Sequence, residues 1–349
     1  ILQDALEKKP ENAEVYLLLG DLLMAKGHLQ GAIFYFEQAR TLRPGEREPV
    51  VRLLLPLFLL GETPRAIELL EELTTGDPGN PFNYLDLANM ETELASSLRA
   101  DGKPWRQELE KGWKYLEKAL ELSRNLRGAE LVKGKLALLA GDENAAIKHF
   151  KFELARPDLV DPALKIDLAA ALGLLEYQHG NISTARDYFR LAEKMFSEWK
   201  DVDYQRTLHN RELFLLLREI FFGEILTAQK LRTFYPEYDN LLEEGVFPQL
   251  KQDQARGLFL AILDAREHGK QDEAVELAIH LNRDFGDPPQ PQCFFHNFFF
   301  RPLFKAITYI LLGDLQLKAG RKKDAEKSYR KALGFLPDNP AAIERLKNL

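Results

Sequence analysis

The chain has 349 residues, 45% of them hydrophobic and 29% charged, with a formal net charge of −7. Such a composition excludes a disordered chain, because apolar material for a core is ample, and its acidic balance argues against a binder of nucleic-acid backbone, which needs a basic stripe. The longest apolar run, Leu53 to Leu60, is far too short to span a bilayer, and the single cysteine, Cys293, permits no internal disulfide, which slightly favours a cytoplasmic over a periplasmic setting.

In chain order, Ile1-x3-Ala5-Leu6 before Pro10 reads as the second helix of a unit begun upstream, so residues 1–12 are the end of a preceding repeat. From Ala13 a complete unit follows. It runs Tyr16-x2-Leu19-Gly20-x2-Leu23, then Gly27, then Ala32-x3-Phe36-x2-Ala39, and closes at Pro44. Each residue type answers a packing need: Gly20 and Ala32 let two helices approach closely, and Tyr16, Leu19, Leu23 and Phe36 fill the space between them. This 34-residue pattern resembles the tetratricopeptide repeat, a helix–turn–helix unit that stacks into a solenoid.

A lone hairpin cannot bury its apolar face, so the unit must recur. Near 47–80 it does, with Val50, Leu53, Leu54, Leu57, Gly61, Ala66, Leu70 and Pro78. Near 81–126 Tyr84, Leu87 and Ala88 open a first helix, but Leu116 and Ala119 of the second arrive about a dozen residues late. An insertion at 95–107, with the turn residues Asp101-Gly102-Lys103-Pro104, accounts for the delay. Near 127–160 Gly134, Ala137, Gly141, Ala146 and Phe150 give a weaker copy, and 166–198 a full one with Ala169, Leu172, Gly173, Gly180, Ala185, Phe189 and Ala192. The frame fails over 199–254, read as a degenerate helical linker. It resumes in a C-terminal block, 255–349, with copies near 255–288 and 306–339 around a Phe-rich segment, 293–304. The expected architecture is all-α: a right-handed superhelical solenoid of antiparallel helix pairs, with an N-terminal block over 13–198.

Motifs for chemistry are scarce. No phosphate-binding loop, serine-nucleophile elbow, His-Glu-x2-His or Cys-x2-Cys occurs, so no catalytic residue, cofactor or metal is assigned and the chain is read as non-enzymatic. The seven histidines stand apart, and Cys293-x2-His296 lacks a second pair of ligands. Arg321, Lys322, Lys323, Lys327, Arg330 and Lys331 form a basic stretch interleaved with Asp324 and Glu326, which reads as a solvated end cap. Six phenylalanines between Phe294 and Phe304 exceed what one repeat core needs; they either pack across the solenoid or dock a partner. Glu212, Glu219 and Glu224 are the clustered acids of the linker.

The resemblance implies a binding face. In the family the first helix of each repeat lines a concave groove, through positions 2, 5, 6, 9, 12 and 13. Carried onto this chain, those places hold Leu17, Leu18, Asp21 and Met24; Val51, Arg52, Leu55, Phe58 and Leu59; Phe82, Leu85, Asp86 and Asn89; Leu131, Lys135 and Leu138; and Ala170, Leu174, Tyr177 and Gln178. Such a wall is apolar and suits a partner peptide or helix. The family's carboxylate clamp needs Lys, Asn and Arg where this chain has Glu14, Leu18, Glu48, Arg52, Phe82 and Asp86, so a carboxylate-clamp co-chaperone is not expected. Trp105, in the insertion, is a possible second contact. The implied function is a protein-interaction scaffold that helps assemble a complex, with self-association through terminal repeats open. The alternative is an accessory region of a larger enzyme or of a membrane-anchored assembly factor.

Overall fold

Apolar residues spaced three and four apart and closed by a glycine turn fold here as antiparallel helix hairpins. The structure, a computed structural model, describes residues 11–159, 161–198, 227–229, 251–284, 295, 298–299 and 301–349. The linker expected up to residue 254, its acids Glu212, Glu219 and Glu224, and the N-terminal ten residues lie almost wholly outside that set. Fifteen helices and no strand occur among the described residues.

The hairpins are α1 (Ala13–Ala25) with α2 (Leu29–Leu42), α3 (Arg47–Leu59) with α4 (Thr63–Gly76), α5 (Pro81–Ala100) with α6 (Arg106–Leu122), and α7 (Ala129–Ala140) with α8 (Glu143–Leu154). Then come α9 (Pro162–Gln178) with α10 (Ile182–Glu198), α11 (Lys251–Glu267) with α12 (Gln271–Asp284), and α13 (Arg301–Lys318) with α14 (Lys322–Phe335), before a short last helix, α15 (Pro340–Lys347). Two compact units result. The first runs to Asp158 and takes in Phe295 from downstream; the second holds α9 to α15 with Phe298 and Phe299.

The hairpins turn in one way. At the end of α1, Gly27 takes φ +73°, and the His28 amide after it donates back to the Leu23 carbonyl at 2.8 Å. The same bond joins Glu62 to Leu57 at 2.8 Å and Arg321 to Gln316 at 2.8 Å, after Gly61 and Gly320. A left-handed residue here satisfies the last free carbonyls of the helix, and glycine avoids the ~1–2 kcal/mol an L side chain costs in that region. Beyond the turn a small residue meets a large one. A Cβ built on Gly20 would fall 2.3 Å from the Phe36 ring, and the same juxtaposition recurs at Gly134 with Phe150 (2.4 Å) and Gly313 with Tyr329 (2.4 Å).

The third hairpin departs from the expected insertion in an instructive way. α5 has 20 residues where α1 has 13, and Gly102, at φ +70°, ends it with the usual bond, Lys103 amide to Leu98 carbonyl at 2.8 Å. The extra residues therefore lengthen the helices rather than forming a separate loop, and the turn is of the ordinary kind, placed later. The C-terminal half of this longer helix buries Glu91, Thr92, Glu93 and Ser96. Gly112 of α6 permits it, since a Cβ there would lie 2.9 Å from Leu136 and 3.4 Å from the Thr92 hydroxyl.

In the first unit one core joins Leu17, Phe36, Leu53, Leu57, Leu70 and Leu87, and a second joins Leu85, Leu116, Val132 and Leu136, with Tyr115 packed against both. In the second unit α9 is buried from Leu168 to Tyr177. The C-terminal end of that unit is fastened by Asp314, whose Oδ1 accepts from the Tyr329 hydroxyl and from Arg345 Nε of α15, each at 2.7 Å.

Candidate functional site

The first helices of the first unit are joined to one another by polar side chains. Arg52 of α3 donates to Asp21 of α1, and to Glu48 on its own helix at 3.1 Å. Arg47 of α3 donates to Asp86 of α5 and lies 5.7 Å over the Phe82 ring. Lys135 of α7 donates to Asn89 at 3.0 Å and to Glu93 at 2.6 Å, both on α5. A ladder of pairs thus runs α1 to α3 to α5 to α7, each rung linking one repeat to the next.

The rungs differ in environment. Asp21 and Arg52 side chains keep 42% and 35% of their surface, so their pair is worth at most about 1 kcal/mol. Lys135 and Glu93 keep 7% each, and such a pair, though not stabilising against an apolar substitute, is costly to break. Burial pushes the Asp86 carboxyl above its ordinary range, while Arg47 pulls it the other way.

Exposed apolar side chains stand one turn from these rungs. Leu18 precedes Asp21 by three residues, Leu55 follows Arg52 by three, and Phe82 precedes Asp86 by four, spacings that put each pair on one face of its helix. Leu18 is 45% exposed, Leu55 55% and Phe82 45%. The face is therefore mixed, with apolar side chains held between fixed charges, rather than the apolar wall the sequence implied.

The other expected groove residues divide by burial. Leu17, Phe58, Leu138 and Tyr177 are enclosed, while Met24, Leu59 and Gln178 are half-buried, Met24 packing against the first core. Asp21, Arg52, Asn89 and Lys135 are brought together as ladder members; Tyr177 and Gln178 belong to the second unit. There α15 closes on α9: burial pushes the Tyr177 hydroxyl up to about 12, against the Ala341 backbone and Arg345, which act in the opposite sense. Sequence reasoning missed Glu93 and Arg47 as rungs. Their signal is charge complementarity across the repeat offset, legible only once the helices are placed.

Trp105 is half-buried and stands at the start of α6, with the Arg99 and Arg106 guanidiniums 5.6 and 5.3 Å from its ring. In the C-terminal basic stretch Arg321 pairs with Asp272 at 2.6 Å and Arg330 with Glu326 at 2.9 Å. His149 meets Glu130 at 2.6 Å; burial alone would raise that carboxyl, and Lys133 and His149 outweigh it and hold it below its ordinary value. Among the described residues no group of three or more His, Cys, Asp or Glu is placed to hold a metal ion, and no helix is long and apolar enough to cross a membrane.

Family comparison decides what this architecture is. Tetratricopeptide repeat models match residues 13–46 and residues 306–339, the two frames in which the glycine, the large aromatic and the closing proline all fall in place. The chain carries tetratricopeptide repeats. Among solved structures the fold is shared, at a TM-score of 0.52 and 14% identity, with a chain of the Cut9–Hcn1 hetero-tetramer of APC/C, the match covering 99% of this chain and 57% of that one. A thermophilic tetratricopeptide repeat protein of Thermus thermophilus is 24% identical over 56% of this chain and 96% of its own, at a TM-score of 0.46. Comparison with curated proteins gives no match. The repeat architecture is an all-α solenoid of a kind that is, in general terms, a protein-interaction scaffold and typically non-catalytic.

Proposed function

We propose that this chain is a non-enzymatic adaptor that captures a peptide or helix of a partner protein on the first-helix face of its first unit, and so helps assemble a multiprotein complex. One observation carries the reading: Leu18, Leu55 and Phe82 stay about half exposed on the same helix faces whose charges are already paired from repeat to repeat. Apolar side chains left open in a fixed polar frame fit recognition in which burial drives affinity and placed polar groups fix register. Asp21, Arg52, Asn89 and Lys135 are the frame; Met24 and Leu59 line it less directly; the enclosed Leu17, Phe58 and Leu138 support it from beneath.

The test is capture of partners from native lysate on three baits: the unaltered chain, Leu55→Asp with Phe82→Asp, and the outer-face change Phe34→Asp. The expected result is loss of specific partners from the double variant alone, with helicity unchanged. Retention of the same partners by the double variant would place the interaction elsewhere.

A further inference from the structure

In a repeat stack each hairpin presents apolar side chains to what packs beside it. In the first unit the last hairpin is α7 with α8. Its central aromatic, Phe150, meets Gly134 of its own hairpin on one side. Another ring, Phe295, lies against Phe150 with centroids 5.6 Å apart and planes tilted by 55°. Phe295 is 3% exposed, and it comes from a part of the chain far beyond α8.

The site around Phe295 is built for an aromatic ring. Lys135 stands with its ammonium 5.7 Å from the ring centroid, and Asn89 and Glu93 fix that ammonium in place. At 5% exposure Lys135 is a desolvated cation, the condition in which attraction to a ring face is strongest. Phe150 supplies a second ring at the tilted geometry aromatic pairs prefer. Because Lys135 is also the last rung of the polar ladder, this site continues the first-helix face proposed above as the partner surface.

We infer that the α7–α8 end of the first unit is a docking site for a phenylalanine side chain presented by a partner peptide, a site this chain fills with its own Phe295. The inference rests on the reading of the first unit as a peptide-capturing scaffold and adds the class of anchor it takes. Phe295 is then an intramolecular competitor: a partner peptide binds there when it displaces that ring.

A labelled peptide with the sequence of residues 289–297, Cys293 replaced by serine, tests this on the full chain. Phe295→Ala should bind the peptide at least tenfold more tightly than the unaltered chain, and the same peptide with alanine at the Phe295 position should bind neither. Equal binding to both chains, or no binding to the Phe295→Ala chain, overturns the inference. Should that variant fail to fold, Phe295→Leu, which keeps apolar bulk and loses the ring, takes its place. It too should bind the peptide more tightly than the unaltered chain, and equal binding overturns the inference as well. Either negative result leaves the adaptor reading standing on its own test, since Leu55 and Phe82 lie on other helices.

Discussion

At the residue scale, position in the repeat does not by itself say whether a side chain is offered to a partner. Leu55 and Phe58 sit three apart on one helix, yet Leu55 is 55% exposed and Phe58 4%. Leu55→Asp should change stability by no more than about 0.5 kcal/mol, as exposed sites do, whereas Phe58→Ala should cost about 3–5 kcal/mol; urea melts of both variants check this. Charges divide in the same way. Lys135→Ala should cost about 3–5 kcal/mol by removing the ammonium from a buried Glu93, and Arg52→Ala less than about 1 kcal/mol. Comparable losses from both would mean that burial does not grade the ladder.

Glu91 gives the same scale a pH signature. It is 1% exposed, one carboxylate oxygen lacks a hydrogen-bond partner, and Lys111 stands 3.6 Å from the other. Burial pushes this carboxyl above its ordinary 4.5, and Lys111 only partly opposes it. Between 4.5 and that raised value the folded chain holds a proton the unfolded chain has lost, so the contribution of Glu91 to stability is fullest at low pH and falls as pH rises through the window. Relative to Glu91→Gln, the unaltered chain should lose melting temperature between pH 4.5 and neutrality; a difference flat in pH would contradict the assignment.

At the element scale, the hairpins were legible because their two steric demands are written in residue types. A glycine opposite a large ring and a glycine at the turn recur at fixed offsets, and Gly20→Ala should cost about 1–3 kcal/mol by driving a methyl into Phe36, read from thermal melts. The third hairpin was harder to read. The C-terminal half of α5 buries Glu91, Thr92, Glu93 and Ser96, polar residues that break the apolar period by which a helix is recognised, so Asp101-Gly102 reads as an interruption when it is the ordinary turn displaced. The polar ladder was hidden for another reason: Asp21 and Arg52, or Lys135 and Glu93, are neighbours only through stacking.

At the scale of the whole molecule, the repeats of the first unit present a face that is at once stiff and partly apolar. Pairing each first helix to the next fixes the spacing of Leu18, Leu55 and Phe82, so a partner meets them without first ordering them, which lowers the entropic cost of capture. The most direct measurement places a photoreactive phenylalanine analogue at position 55, or at position 152 on the opposite helix series, where Phe152 is 60% exposed. Irradiation in native lysate should then crosslink a specific partner through position 55 and not through 152. Crosslinks to that partner from 152 alone, or equally from both, would contradict the first-helix face as the binding surface.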